Sequence, residues 1–376
     1  MSTSQSRKKI LFITRPLSPP WDEASKNFAF DLAKNVTDHD ITILVDKKIS
    51  NTPEHITQKK IYTQNHFSLS QKLRLVNYLR KNSDDFDVIH LLFTPTKINS
   101  FVIKMLLKNK KVKVVQTIAT VRDDLYSTKD LKHMFFGDVL VMYSQWGQKK
   151  LRNLGFTNVY HIYPGIDLSK YIPEEKNSAL MEKWKISSKK KIVTYSGEYV
   201  RLGATDMIVD AFIDLWQDKK NYDILYLCNC RVKNDLDASK KKEVQKKFAL
   251  AGHANKVVFT DTVYDMNAIY NLSDIIIFPV ENMRGKFDVP LAMIEPYACK
   301  KPVIASDLPL FKEFSSPEIN AIIPKANSDA LKNMICELVN NPEKCTNLGE
   351  NAFAFAHKTF NITQTAKQYG QIYKEL

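Results

Sequence analysis

The sequence predicts an α/β protein made of two doubly wound units, on three observations. Short strands that are apolar throughout alternate with helical segments from the first residues, the same rhythm restarts near residue 190, and a stretch rich in proline and charge separates the two runs. "KKILFIT" (8–14) is the first strand, "KNFAFDLAKNV" (26–36) has helical spacing, and "DITILVD" (40–46) is a second strand. "FDVIHLL" (86–92), "VKVVQTI" (112–118) and "DVLVMYS" (138–144) continue the pattern. The second run comprises "KKIVTYSG" (190–197), "YDILYLC" (222–228), "KVVFT" (256–260), "DIIIFP" (274–279) and "KPVIAS" (301–306). Strands without polar alternation imply parallel sheets covered on both faces by the intervening helices. Between the runs, residues 163–187 carry Pro164, Gly165 and Pro173 and suit an interdomain connection.

Composition agrees with this organisation. A chain of 376 residues can bury two cores, and 44% hydrophobic with 26% charged residues describes a globular protein. No apolar run reaches the roughly eighteen residues of a membrane span. "MSTSQSRKK" followed by "ILFIT" lacks the apolar core and cleavage site of a signal peptide, so a cytoplasmic location is expected. The five cysteines, Cys228, Cys230, Cys299, Cys336 and Cys345, do not form a disulfide framework in a chain this long. Cys228 and Cys230 point the same way on one strand, yet no histidine or second cysteine pair completes a metal site, so they read as buried thiols and no metal is expected.

The net charge of +14 calls for a reason. Basic amphipathic stretches occur at 69–81 and 100–113; in the first, Leu69, Leu73, Val76 and Leu79 recur at helical spacing beside Lys72, Arg74, Arg80 and Lys81. Such a helix can lie on an anionic membrane surface, or it can be an ordinary surface helix that its lysines keep soluble. Basic chains also attract nucleic acid, but no zinc finger, RNP motif or recognition helix is present, so no specific nucleic-acid partner is expected.

Two doubly wound halves create a central cleft between the carboxyl ends of their sheets, where ligands bind. Several enzyme classes and some sugar-responsive binding proteins share that layout. Local motifs narrow the choice. "SQWGQKKLRNLGFTNVYHIYPGIDLSKYIPE" (144–174), "DMNAIYNLSDIIIFPVENMRGKFDVPLAMIEPYACKKPVIAS" (265–306) and "FNITQTAKQYGQIYKEL" (360–376) together resemble family 4 retaining glycosyltransferases, over most of the chain from about residue 84 onward. The resemblance implies the GT-B fold, two Rossmann-like domains facing a central cleft. An acceptor domain is then expected over 1–183, a donor domain over 184–357, and a closing helix over 358–376 that crosses back onto the first domain.

The same resemblance gives Glu295 a role. An acid directly after Leu291, Ala292, Met293 and Ile294 otherwise reads as the solvated edge of an amphipathic helix. In the family, the glutamate at this position accepts hydrogen bonds from the ribose hydroxyls of a nucleotide-sugar donor, and two carboxylate oxygens suit a vicinal diol. The stretch from Val289 to Ala292, with Pro290 and Leu291, would present helix-terminal amides to the donor, although Pro290 itself has no N–H to give. Gly197, which ends the first strand of the second domain, belongs to the same set.

Several positions depart from the family pattern. Phe287 stands where a second acid usually holds the transferred sugar; Asp288 is the substitute, with an N-cap role as the other reading. Glu198 replaces an arginine that meets the diphosphate, and Gly203 falls close to the position of a lysine, which leaves Arg201 as the phosphate contact, followed by Lys286 and Arg284. In the first domain, the loop 15–27 lacks glycine and Ala119 takes the place of a histidine. His90 matches a strand-end histidine of the family, and a structural role fits it equally well. Arg122, Asp123 and Asp124 could reach the acceptor, but three consecutive residues cannot all face one metal ion.

The expected activity is transfer of a sugar, with retention, from a nucleoside diphosphate sugar to a glycan or a lipid-linked acceptor. The donor is a substrate, and no cofactor is expected. Attachment to the inner face of the membrane is expected to be peripheral. The other readings are a catalytically inactive GT-B protein that binds nucleotide or glycan, and a sugar-nucleotide epimerase.

Overall fold

The computed structural model describes residues 7–19, 21, 23–260 and 262–376. Two compact units are present: Met1–Asp167 with Gly285–Asp288 and Phe360–Leu376, and Leu168–Arg284 with Val289–Thr359.

The first unit holds a seven-stranded parallel sheet of β1 (Lys9–Ile13), β2 (Asp40–Val45), β3 (Ile56–Lys60), β4 (Val88–Leu91), β5 (Lys113–Ile118), β6 (Val139–Met142) and β7 (Val159–His161), in the order β3-β2-β1-β4-β5-β6-β7. Alternate residues of the central strands enter different cores. Ile10 and Phe12 of β1 pack with Phe28 and Leu32 of the helix Ala24–Asn35 and with Tyr369 and Tyr373 of the helix Ile362–Glu375. Leu11 and Ile13 pack on the other side with Leu75, Leu79, Ile103 and Leu107. Two covered faces explain the unbroken apolar runs.

The basic stretch at 69–81 is a helix, Leu69–Asn82, but its leucines divide differently from the expected stripe. Gln71, Leu75 and Leu79 face the core, whereas Leu69 and Leu73 are 73% and 61% exposed. The next helix, Lys97–Leu107, likewise buries Ser100, Ile103 and Leu107 and leaves Ile98, Phe101 and Met105 exposed. Both helices therefore carry apolar residues on two faces, which periodicity alone could not separate. No helix among the described residues is long and apolar enough to cross a membrane.

The second unit holds a six-stranded parallel sheet of β8 (Lys191–Gly197), β9 (Ile224–Cys230), β10 (Val257–Phe259), β11 (Ile275–Phe278), β12 (Val303–Ser306) and β13 (Ala321–Ile323), in the order β10-β9-β8-β11-β12-β13. Cys228, Cys230 and Cys299 are buried free thiols, and Cys336 and Cys345 are half-buried.

The unit boundary falls earlier than the expected 183/184. Residues 168–183 belong to the second unit because the helix Met266–Leu272 holds the segment there: Asn267 Oδ1 accepts from the Ile172 amide at 3.1 Å, Asn271 Oδ1 accepts from the Glu174 amide at 2.8 Å, and Lys176 pairs with Asp274 at 2.6 Å. Proline and charge mark a stretch without regular structure, but they do not say which domain will bind it.

Candidate functional site

In the second sheet the chain leaves β8 toward β9 on one side and returns beyond it at β11 on the other. Parallel sheets bind ligands outside the carboxyl ends of their strands at such a point. The loops after β8 and β11 meet there, with the Glu281 amide donating to the Leu202 carbonyl at 2.9 Å. Gly203 has φ +75°, and a β-carbon on it would lie 2.8 Å from Glu281 Oε2, so glycine serves both the turn and the close approach. At Gly197 the absent side chain leaves room for the Tyr195 ring, which a β-carbon would meet at 2.3 Å.

Glu198 follows directly, with its side chain only 6% exposed. Arg201 Nε lies 3.3 Å from Glu198 Oε2, and Lys233 Nζ donates to Glu198 Oε1. A carboxylate this buried requires a partner, and here two cations supply it. Lys233 comes from the loop after β9, where its amide donates to Asp237 Oδ2 at 3.2 Å beside the Asn234 cap of the helix Asp235–Leu250. Arg201, expected as the sole cation of its loop, is thus joined by a lysine from another loop. Their side chains remain 52% and 32% exposed, respectively.

Glu295 lies in the helix Leu291–Ala298, which Pro290 caps and which buries Met293, Ile294, Tyr297 and Ala298. It is 7% exposed, so the solvated-edge reading does not hold. The Tyr270 hydroxyl donates to Glu295 Oε2 at 2.8 Å and fixes the carboxylate's orientation. Burial, with the Glu295 charge adding to it, holds the Tyr270 phenol well above its usual range and pushes the Cys299 thiol up to about 12. Pro290 is buried and Leu291 half-buried.

The remaining candidates, apart from Arg284, belong to the first unit. Asp288 is buried, accepts from the Ser144 hydroxyl at 2.6 Å, and gives its amide to the Ala119 carbonyl at 2.9 Å. Ser144 in turn caps the helix Gln145–Asn153 by accepting from the Gly147 amide at 2.9 Å. A β-carbon on Gly147 would come within 2.8 Å of Asp288 Oδ2, so this helical glycine makes room for the carboxylate beside a helix N-terminus. Asp288 does not cap the following helix, because that position belongs to Pro290. Phe287 packs on Tyr143 with ring centroids 5.0 Å apart. Lys286 is half-buried and Arg284, of the second unit, is exposed.

His90 is fully enclosed. Its Nδ1 lies 2.6 Å from the Tyr373 hydroxyl and its Nε2 2.7 Å from Thr117 Oγ1, which is itself 2.8 Å from the Tyr369 hydroxyl. Burial lowers its pKa to about 3. With both ring nitrogens engaged and no solvent access, His90 ties β4 and β5 to the helix Ile362–Glu375, and the expected catalytic placement gives way to a structural one. Arg122 grips Asp124 through contacts of 2.7 and 2.8 Å, and Lys150 pairs with Asp123 at 2.5 Å.

Sequence reasoning brought Gly197, Arg201 and Glu295 to the second unit, but it missed Lys233, Tyr270 and Ser144. Each of the three meets its partner across a wide gap in the chain: 35 residues for Lys233 and Glu198, 25 for Tyr270 and Glu295, and 144 for Ser144 and Asp288. A polar residue just past a strand end was the one available signal, and it marks Ser144 after β6 and Lys233 after β9.

Comparison with known proteins adds to this geometry. Residues 176–355 match the family described as Glycosyl transferases group 1. An uncharacterized glycosyltransferase of Methanocaldococcus jannaschii is 28% identical over 221 residues, 57% of this chain and 52% of that protein. The chain thus spans about half the length of the curated relative it matches. Among solved structures, Anabaena HepE in complex with UDP-glucose is 17% identical with a TM-score of 0.78 and covers 98% of this chain and 100% of its own. Sucrose-phosphate synthase from Thermosynechococcus elongatus is 16% identical with a TM-score of 0.77 and covers 98% of this chain and 99% of its own. These likenesses show the fold to be GT-B, with two parallel-sheet α/β domains.

Proposed function

We propose, from the match of residues 176–355 to the group 1 glycosyltransferases, that this protein transfers a sugar from a nucleoside diphosphate sugar to a glycan or lipid-linked acceptor, with retention at the anomeric carbon. The observation that carries the reading is Glu295: a buried carboxylate, oriented by Tyr270, within the segment that matches the family. A diol offers two neutral donors, and a fixed carboxylate accepts both at little cost in side-chain ordering. Leu291 and Ala292 open the helix Leu291–Ala298, and their amides, in its first turn, suit the donor's phosphates or sugar. Pro290 sets the helix start and gives no N–H. Gly197 keeps side-chain bulk away from the end of β8. Arg201 meets the diphosphate as negative charge develops on it, with Lys286 as a further cation. Asp288, held by Ser144, orients the transferred sugar.

Catalysis in this scheme rests on donor positioning and leaving-group stabilisation, and no protein nucleophile or separate cofactor is invoked. The complex of HepE with UDP-glucose supports a nucleotide-sugar donor by analogy of fold. The test is a thermal-shift screen with nucleoside diphosphates and their sugars, followed by assay of nucleoside diphosphate release. A ligand that binds only the folded state raises the melting temperature. No shift with any of them would remove the donor reading.

The acceptor proposal is a lipid-linked glycan at the cytoplasmic face of a membrane. It rests on the exposed Leu69 and Leu73 beside the basic residues Lys72, Arg74, Arg80 and Lys81. Each surface cation near an anionic leaflet contributes about 1 kcal/mol, so several together give reversible, salt-sensitive attachment. Co-sedimentation with anionic vesicles is expected to weaken when the four cations are neutralised together. No pelleting at low or moderate salt would point to a soluble acceptor.

A further inference from the structure

In the second unit Arg201 belongs to a charge cluster with two further members, Glu198 and Lys233. Glu198 stands one residue beyond β8, at the point where the strand order turns, and it is one of the most enclosed carboxylates of the unit. It faces two cations from two different loops, Arg201 and Lys233. The three side chains sum to one positive charge, and the two cations reach solvent while the carboxylate does not. Lysine is a compact charge on a flexible stem, so an unanchored lysine in a loop loses entropy whenever it contacts a ligand. Tethered to a buried carboxylate, Lys233 has already lost that freedom. An ammonium group has three donors and a guanidinium five, so each cation can hold Glu198 and still donate elsewhere. A diphosphate, with several charged oxygens, is the ligand chemistry that two adjacent cations at the carboxyl end of a parallel sheet fit best.

We propose that Lys233 is a second diphosphate contact of this protein, and that Glu198 is the positioning residue that holds Lys233 and Arg201 side by side to receive it. The proposal rests on the nucleoside diphosphate donor read above. It accounts for an acid at a position where bare attraction for phosphate would favour a base: here the acid aims two bases at once.

The experiment measures calorimetric affinities of UDP, GDP and ADP, each beside its own nucleoside, for the full chain and its variants. Lys233→Ala is expected to weaken the best-binding diphosphate by about tenfold or more, as for a lost hydrogen bond between charged groups, with its nucleoside changed by less than about twofold. Lys233→Arg should retain most of the affinity. Glu198→Gln should weaken the diphosphate severalfold and spare the nucleoside, because it loosens the cations without touching the base or ribose. If Lys233→Ala destabilises the fold by leaving Glu198 short of charge, the double variant Lys233→Ala/Glu198→Gln should recover the melting temperature and still bind the diphosphate weakly. Wild-type diphosphate affinity in that double variant, or equal affinities for wild type and Lys233→Ala, would overturn the assignment of Lys233. Tighter diphosphate binding by Glu198→Gln would overturn the positioning role. If the wild type binds none of the three diphosphates, the donor reading itself falls and takes this inference with it.

Discussion

His90 in the first unit and Glu198 in the second both stand beside the point where the strand order of their sheet turns, and both are buried polar residues. Their surroundings are opposite in kind. Around His90 the contacts are neutral hydroxyls, contributed by β5 and the helix Ile362–Glu375, and the ring and its partners lie out of solvent. Around Glu198 the contacts are two full charges whose side chains extend from the carboxylate into water. Placement at the turning point therefore does not by itself mark a ligand contact. What distinguishes the two is that around Glu198 donor capacity reaches solvent after the internal partners have been served.

Three measurements would break or sharpen this contrast, beginning with the largest effect. His90→Ala removes one ring, strands the Tyr373 hydroxyl in the core and leaves Thr117 with Tyr369 as its remaining hydroxyl partner, so it should cost roughly 3–5 kcal/mol of stability in urea unfolding. Nucleotide affinity per folded molecule should stay unchanged; a selective loss of binding would return His90 to the site. Glu295→Ala should have the complementary pattern. It is expected to weaken nucleoside and nucleoside diphosphate alike by about 1.5–3 kcal/mol while the fold persists, and equal calorimetric affinities for mutant and wild type would sink the ribose assignment.

The third measurement uses pH. The folded pKa of His90, about 3, lies below the value of about 6.5 for an ordinary imidazole. Between these values the unfolded chain binds a proton that the folded chain refuses, so stability is full above about pH 6.5 and falls as the pH drops, by up to roughly 1.4 kcal/mol per pH unit. Urea midpoints at pH 7 and pH 5 should show this loss, and His90→Gln should reduce it. An identical pH dependence in the two proteins would show that another group controls it.

The contrast also explains what could be read from the sequence. The central strands were legible because burial on both faces leaves a continuous apolar run, as in β1, β6 and β11. The strands β3, β7 and β13 were not; all three lie at sheet edges, and β3 carries a single buried residue, Ile56, and ends in the exposed pair Lys59 and Lys60. The helix Leu69–Asn82 was legible as a helix, but leucines on both its faces hid which of them faced inward. Glu295 was singled out because it sits within a contiguous motif. The contacts of His90 and Lys233 join them to residues 283 and 35 positions away, respectively, and no local pattern encodes such contacts.

The division of the chain between the units also bears on its biosynthesis. The helix Ile362–Glu375 completes the first unit but leaves the ribosome only after the whole of the second unit has been made. Domains tend to fold as they emerge, so the second unit can finish first, while β4 and β5 wait with His90 and Thr117 lacking Tyr373 and Tyr369. A nascent chain arrested at residue 359 would hold a complete second unit and an unfinished first one. In that interval, the unit begun earlier is the one most exposed to chaperones and proteases.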